Sequence, residues 1–167
     1  MEASTTHSES SEIIRTKNII EKKFEKYNEA PIEGLEGLVF EQKEKTVPFD
    51  DFKRRNFVCV GPKGTPWEGN AYEGTIEFPS KFPFKPPSIK FKSYVFHPNI
   101  YRPSGGSRGS VCISILDPAP DSTNYVRESE TWRAVHGIES IFLSIFSLFH
   151  DPNNDSPADI DAKNLYE

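Results

Sequence analysis

Apolar residues return along the chain at two intervals, and each interval marks a kind of element. Over 13–27, Ile13, Ile20, Phe24 and Tyr27 share one helical stripe while Arg15, Lys22 and Lys26 occupy the opposite one, which predicts a surface helix with a basic outer face. After a break at Pro31 and Gly34, runs at 38–42, 56–60, 72–78 and 88–91 predict strands. Tyr72, Gly74, Ile76 and Phe78 alternate in the third, and Ile89 and Phe91 in the fourth, so each turns one face to a core. "GPKGTPWEGN" between the second and third runs reads as a hairpin loop, and "PSKFPFKPP" before the fourth is too rich in proline for a strand. Val135, Ile138, Ile141, Phe142, Ile145, Leu148 and Phe149 then recur at helical spacing over a wide stripe, the pattern of a largely buried helix that crosses the sheet. "DPNNDSP" at 151–157 ends it, and 159–167 reads as the first turns of another helix. The expectation is an α+β domain over 13–167: an N-terminal helix, a four-stranded antiparallel meander, an irregular loop region around Cys112, a central core helix and the start of a C-terminal one. The Ser/Thr/Glu-rich segment 1–12 is expected to be a disordered tail.

Length and charge narrow the picture. At 167 residues the chain suits one domain, and a net charge of −5 argues against a nucleic-acid or membrane-surface partner. No run approaches the roughly 18 apolar residues of a membrane span, and the start is no basic-then-apolar signal sequence, so a cytoplasmic or nuclear location is expected. Two cysteines, Cys59 and Cys112, make no disulfide scaffold and supply too few sulfur ligands for a zinc cluster. No metal is expected.

Candidate chemistry centres on "FHPNIYRPSGGSRGSVCISIL" at 96–116. Cys112 is either a small hydrophobe in "VCISIL" or a thiol displayed where a polar, glycine-rich loop enters an apolar segment, as a nucleophile must be. Cys59, inside "FVCV", has no such loop and reads as core. A cysteine hydrolase would need a histidine base; His97 is locked in a turn by Pro98, and His136 and His150 lie on or at the end of the core helix. Asn99 is either a turn residue satisfying backbone groups or an amide placed to donate to an oxyanion formed at Cys112. "GGSRGS" lacks the Gly-Lys-Ser/Thr and the preceding strand of a phosphate loop. The acidic stretch 117–130, with Asp117, Asp121, Glu128 and Glu130, reads as a solvated loop or as a mobile flap beside Cys112.

Together, "GPKGTPWEGNAYEGTIEFPSKFPFKPPSIKF", "HPNI", "GSVCISIL", Trp132 and "IESIFLSIFSLFHDPNNDSPADIDA" closely resemble the ubiquitin-conjugating enzyme (E2) family, in the family's order, from about Ile13 to the last residue. The resemblance implies the UBC fold and a thioester carrier. Cys112 would accept ubiquitin from the activating enzyme (E1) and pass it to a substrate lysine or to a ligase (E3), a RING-type ligase being the expected partner. The enzyme would need no cofactor of its own, since ATP is used by E1. The family's active-site asparagine falls on Asn99, its structural turn on His97, and its gate positions on Asp117 and Ser156. The E1-facing helix falls on 13–27 with Arg15, Lys22 and Lys26, and the E3 surface adds Pro83 and Phe84 and the loop of Trp132 and Ala134.

The chain also departs from the family. "PSGGSR" lengthens the path from His97 to Cys112, and a second insertion between Leu116 and Trp132 matches the acidic loop of the Cdc34-like and G-type subgroup, as does Ser114. Ser156 stands where aspartate is common, and "RAV" follows Trp132 in place of Ser-Pro-Ala. Many E2s continue past the point where this sequence stops. The alternatives are a non-catalytic E2-like adaptor, with the first insertion moving Asn99 or Cys112 out of register, and an E2 for another ubiquitin-like modifier.

Overall fold

A computed structural model describes residues 3–30, 32–118 and 131–166, with side chains from residue 10 onward. The order is α1 (Ala3–Asn28), β1 (Leu38–Phe40), α2 (Phe49–Phe52), β2 (Arg54–Val60), β3 (Ala71–Glu77), β4 (Ser88–Phe91), a 3₁₀ turn (Ser114–Leu116), α3 (Ile138–His150) and α4 (Ile160–Tyr166). The four strands form an antiparallel meander in sequence order, an α+β arrangement. Alternation decides which face is covered. Arg55, Phe57 and Cys59 of β2, Tyr72, Gly74 and Ile76 of β3 and Ile89 and Phe91 of β4 point inward, whereas Val39, Val58 and Val60 remain exposed on the outer face.

α3 lies on the inner face. Its Ile138, Ile141, Phe142, Ile145, Phe146 and Phe149 are buried, and Phe142 meets Phe40 and Phe57 edge-on at 5.2 and 5.0 Å between ring centres. Each such side chain contributes roughly 1.5–3 kcal/mol through burial. Gly74 gives the Phe57 ring room, since a Cβ there would lie 2.3 Å from it. α1 covers the flank: its Phe24 packs against Phe40 and Phe78 at 5.1 and 5.9 Å. Under it, Arg55 is buried with its guanidinium 4.1 Å from the Phe24 ring centre and 5.1 Å from that of Phe52, so aromatic faces replace water around the charge.

Two expectations are corrected, and one element was not expected. α1 begins at Ala3, inside the segment 1–12 expected to be a disordered tail, because no glycine or proline interrupts 3–28. Val135 fits the apolar stripe but is exposed and outside α3, which starts after Gly137. The single turn α2 has no counterpart among the predicted elements.

Candidate active site

The stretch 99–112 folds as an irregular hairpin. The Cys112 N–H donates to Asn99 O at 2.8 Å, Ile100 bridges Val111, and Tyr101 exchanges backbone bonds with Gly109 and Ser110 at 2.9 and 3.0 Å. The added residues loop out beyond Tyr101 and leave Asn99 opposite Cys112. Gly109 makes the return possible: its φ is +67°, and a Cβ would sit 2.0 Å from Phe91 O. Phe91 and Gly109 are bonded there at 2.8 Å, which joins the hairpin to β4.

His97 and Asn99 tie this hairpin to the end of α3. His97 is buried, its Nε2 bonds Leu148 O at 2.9 Å and its Nδ1 accepts the Asn99 N–H at 2.9 Å. The Leu148 carbonyl is one of those a helix end leaves unpaired, and it fixes the tautomer with the proton on Nε2. Burial pushes the His97 pKa down to about 4, so the ring is neutral at physiological pH and both nitrogens are occupied. The Asn99 carboxamide is also buried: Oδ1 accepts the Asn153 N–H at 2.9 Å, and Nδ2 donates to Asn153 O at 2.8 Å and to Ser156 O at 3.4 Å. Both amide hydrogens are thus engaged by the 151–157 loop, the bond to Ser156 being the longer and weaker of the two. Ser156 itself is exposed.

Cys112 is half-buried, and among the described residues no histidine is hydrogen-bonded to its sulfur. A thiol–imidazole pair of the hydrolase kind is therefore missing from these residues. Cys59 is fully buried, and burial pushes its thiol up to about 12, which leaves it protonated and inert. After Cys112 the 3₁₀ turn leads to Asp117, which is exposed, with its N–H bonded to Ser114 O at 2.8 Å and its carbonyl accepting the Trp132 N–H at 2.9 Å. The acidic stretch beyond it, with Asp121, Glu128 and Glu130, lies outside the described residues.

The expected partner-facing residues divide. Arg15, Pro83 and Phe84 line one groove of about 380 Å³ between α1 and the 80–84 loop, with Phe84 77% exposed. Ala134 is exposed nearby, but Trp132 is buried: its indole N–H donates to Pro83 O at 2.8 Å, so it braces the surface and does not present it. Arg15 and Lys22 are exposed, whereas Lys26 pairs with Glu139 of α3 at 3.3 Å. Sequence reasoning passed over Lys23, whose Nζ donates to Ala134 O at 3.2 Å and His136 O at 2.6 Å and so pins that loop to α1. No local signal could have shown it, because carbonyl acceptors carry no side-chain mark. Of the described residues, none form a His/Cys/Asp/Glu group fit for a metal.

A family model described as ubiquitin-conjugating enzyme matches residues 19–167. The chain is 43% identical over 118 residues to "Ubiquitin-conjugating enzyme E2-18 kDa" of Schizosaccharomyces pombe, covering 70% of this chain and 68% of the relative. It is 36% identical over 149 residues to "Probable ubiquitin-conjugating enzyme E2 7" of Caenorhabditis elegans, covering 88% and 83%. Among solved structures it is similar to human ubiquitin-conjugating enzyme E2 G1, with a TM-score of 0.63 and 27% identity over 83% of this chain and 98% of that one.

Proposed function

The chain belongs to the ubiquitin-conjugating enzyme family, and from that premise we propose that Cys112 is the thiol that carries ubiquitin. In the first step the Cys112 thiolate attacks the thioester carbonyl of ubiquitin on the activating enzyme; a new C–S bond forms, the old one breaks, and the activating enzyme's thiolate leaves. In the second, a neutral lysine amine attacks the Cys112 thioester; the C–N bond forms, the C–S bond breaks with Cys112 leaving as thiolate, and the proton the amine loses passes to solvent water. ATP is spent at the activating enzyme, so this chain needs no cofactor.

The observation that carries the reading is the backbone pair Cys112 N–H to Asn99 O at 2.8 Å, which holds despite the insertion between the two residues. A half-buried thiol without a bonded imidazole suits a carrier, since a resident general base beside the thioester would speed its loss to water. Asn99 holds the 151–157 loop against the Cys112 strand, and the Nδ2 hydrogen now on Ser156 is the one to turn toward the oxyanion during transfer. The groove of Arg15, Pro83 and Phe84, with Ala134 beside it, is the ligase-facing surface, a RING domain being the partner expected, and the exposed cations Arg15 and Lys22 meet the activating enzyme.

The test is charging with E1, ATP and ubiquitin. The chain should gain one ubiquitin by a bond that thiol reductant cleaves. Cys112→Ser should give an ester that resists reductant and yields to alkali, and Cys59→Ser should charge normally. A reducible adduct on the Cys112→Ser protein would sink the assignment. The same gel run with other ubiquitin-like modifiers reads out the choice of modifier.

A further inference from the structure

The lengthened hairpin tip is anchored at its first residue. Arg102 donates from Nε to Asp159 Oδ2 at 2.6 Å and from Nη2 to Asp159 Oδ1 at 2.8 Å, and Nη2 also bonds Asp161 Oδ2 at 2.5 Å. The Asp159 side chain is 1% exposed. Its Oδ1 accepts the N–H groups of Asp161 and Ala162 at 3.0 and 3.1 Å, which caps α4. The N–H groups of Ala158 and Asp159 donate to Pro98 O at 2.7 and 3.0 Å. The segment 153–159 is therefore held at both ends by the strand that leads to the hairpin: Asn99 grips Asn153 and Ser156, and Pro98 and Arg102 grip 158–159.

We propose that Arg102 is a positioning residue for transfer out of Cys112: through Asp159 it fixes the segment 153–159, and with it the Asn99 carboxamide, against the Cys112 strand. This role rests on Cys112 as the ubiquitin acceptor. The planar guanidinium fork matches both carboxylate oxygens at once, which a lysine ammonium cannot do. Without Arg102 a buried carboxylate keeps only its two backbone partners, and the far end of the segment is held by Pro98 alone. Transfer to a small amine depends on orientation supplied by this chain, where a displacement of about 1 Å can cost up to 10²-fold. During charging the activating enzyme orients the thioester, so that step depends less on the clamp.

The full chain, Arg102→Ala, Arg102→Lys and the double variant Arg102→Ala/Asp159→Asn are compared by amide hydrogen exchange and by single-turnover discharge to free lysine. Asparagine keeps the cap on α4 and removes the stranded charge, so the double variant regains thermal stability without regaining the clamp. Exchange of the Asn153, Ala158 and Asp159 N–H groups is expected to rise about tenfold in Arg102→Ala and in the double variant, with α3 unchanged. Discharge is expected to fall about tenfold in both, with charging within about threefold, and Arg102→Lys to fall between. The proposal is overturned by unchanged exchange, by equal losses in charging and discharge, or by recovery of discharge together with thermal stability in the double variant. A chain that takes no ubiquitin onto Cys112 removes the acceptor assignment, and the role of Arg102 in transfer with it, while the exchange rates still report whether the clamp holds.

Discussion

Both nitrogens of His97 are occupied, one by Leu148 O and one by the Asn99 N–H, and the ring lies tilted against Trp67 at 4.6 Å and edge-on to Phe149 at 5.1 Å. Burial strips water from a charged imidazolium there and brings the pKa down to about 4, against the smaller opposing effect of the bond to Leu148 O. In the unfolded chain His97 titrates near its ordinary value of about 6.5 and binds a proton that the folded state refuses. The unfolded state thus holds more protons between pH 6.5 and 4, and stability falls as pH drops through that window. The loss from this one group is about 3 kcal/mol once pH is below both values. Urea unfolding of the chain and of His97→Gln at pH 7 and pH 4.5 checks this. The variant is expected to be weaker at pH 7, from lost hydrogen bonds, and less pH-sensitive below it. Equal slopes for the two proteins would assign the acid sensitivity elsewhere.

α1 carries its cations in two different conditions. Lys17 donates to the carbonyls of Lys45 and Val47, Lys23 to those of Ala134 and His136, and Lys26 pairs with Glu139, so these three brace α1 against the domain. Arg15 and Lys22 make no ion pair among the described residues. Arg15→Glu with Lys22→Glu is expected to leave stability within about 0.5 kcal/mol and to slow E1 charging at low salt, the defect shrinking as salt screens the encounter. Lys26→Glu behaves otherwise, because it sets a carboxylate beside Glu139 and costs up to about 1 kcal/mol. Charging kinetics against ionic strength, beside thermal midpoints, separate the two groups. Charging untouched by the Arg15 and Lys22 reversals at low salt would make their face an ordinary solvated one.

The sheet and α3 were legible because burial alternates every second residue in one and follows a wide stripe in the other, signals that need no knowledge of distant partners. α2 is a single turn, too short for any period, and Val135 matched the stripe only because Gly137, the N-cap that precedes α3, does not interrupt a count of apolar positions. At the site, the His-Pro-Asn turn and Cys112 stood out by local chemistry. Lys23 and the Arg102–Asp159 pair did not, since their bonds join residues 57 to 113 apart in sequence. The acidic stretch lies outside the described residues, and its effect is checked by deleting 118–129: charging is expected within a few-fold of normal, with ubiquitin-chain building in the presence of a matched ligase changed by more. Identical chain products and rates would make the loop a solvated connection only. The bond between Asp117 O and the Trp132 N–H is 2.9 Å long and is braced by the Trp132 indole on Pro83. It closes the base of that loop independently of what hangs from it, and doubling a closed loop costs only about 0.6 kcal/mol. Mutation can therefore lengthen, shorten or recolour the loop with little penalty to the catalytic core, which makes this neck a graft point where new recognition sequences can be tried by evolution or by an engineer.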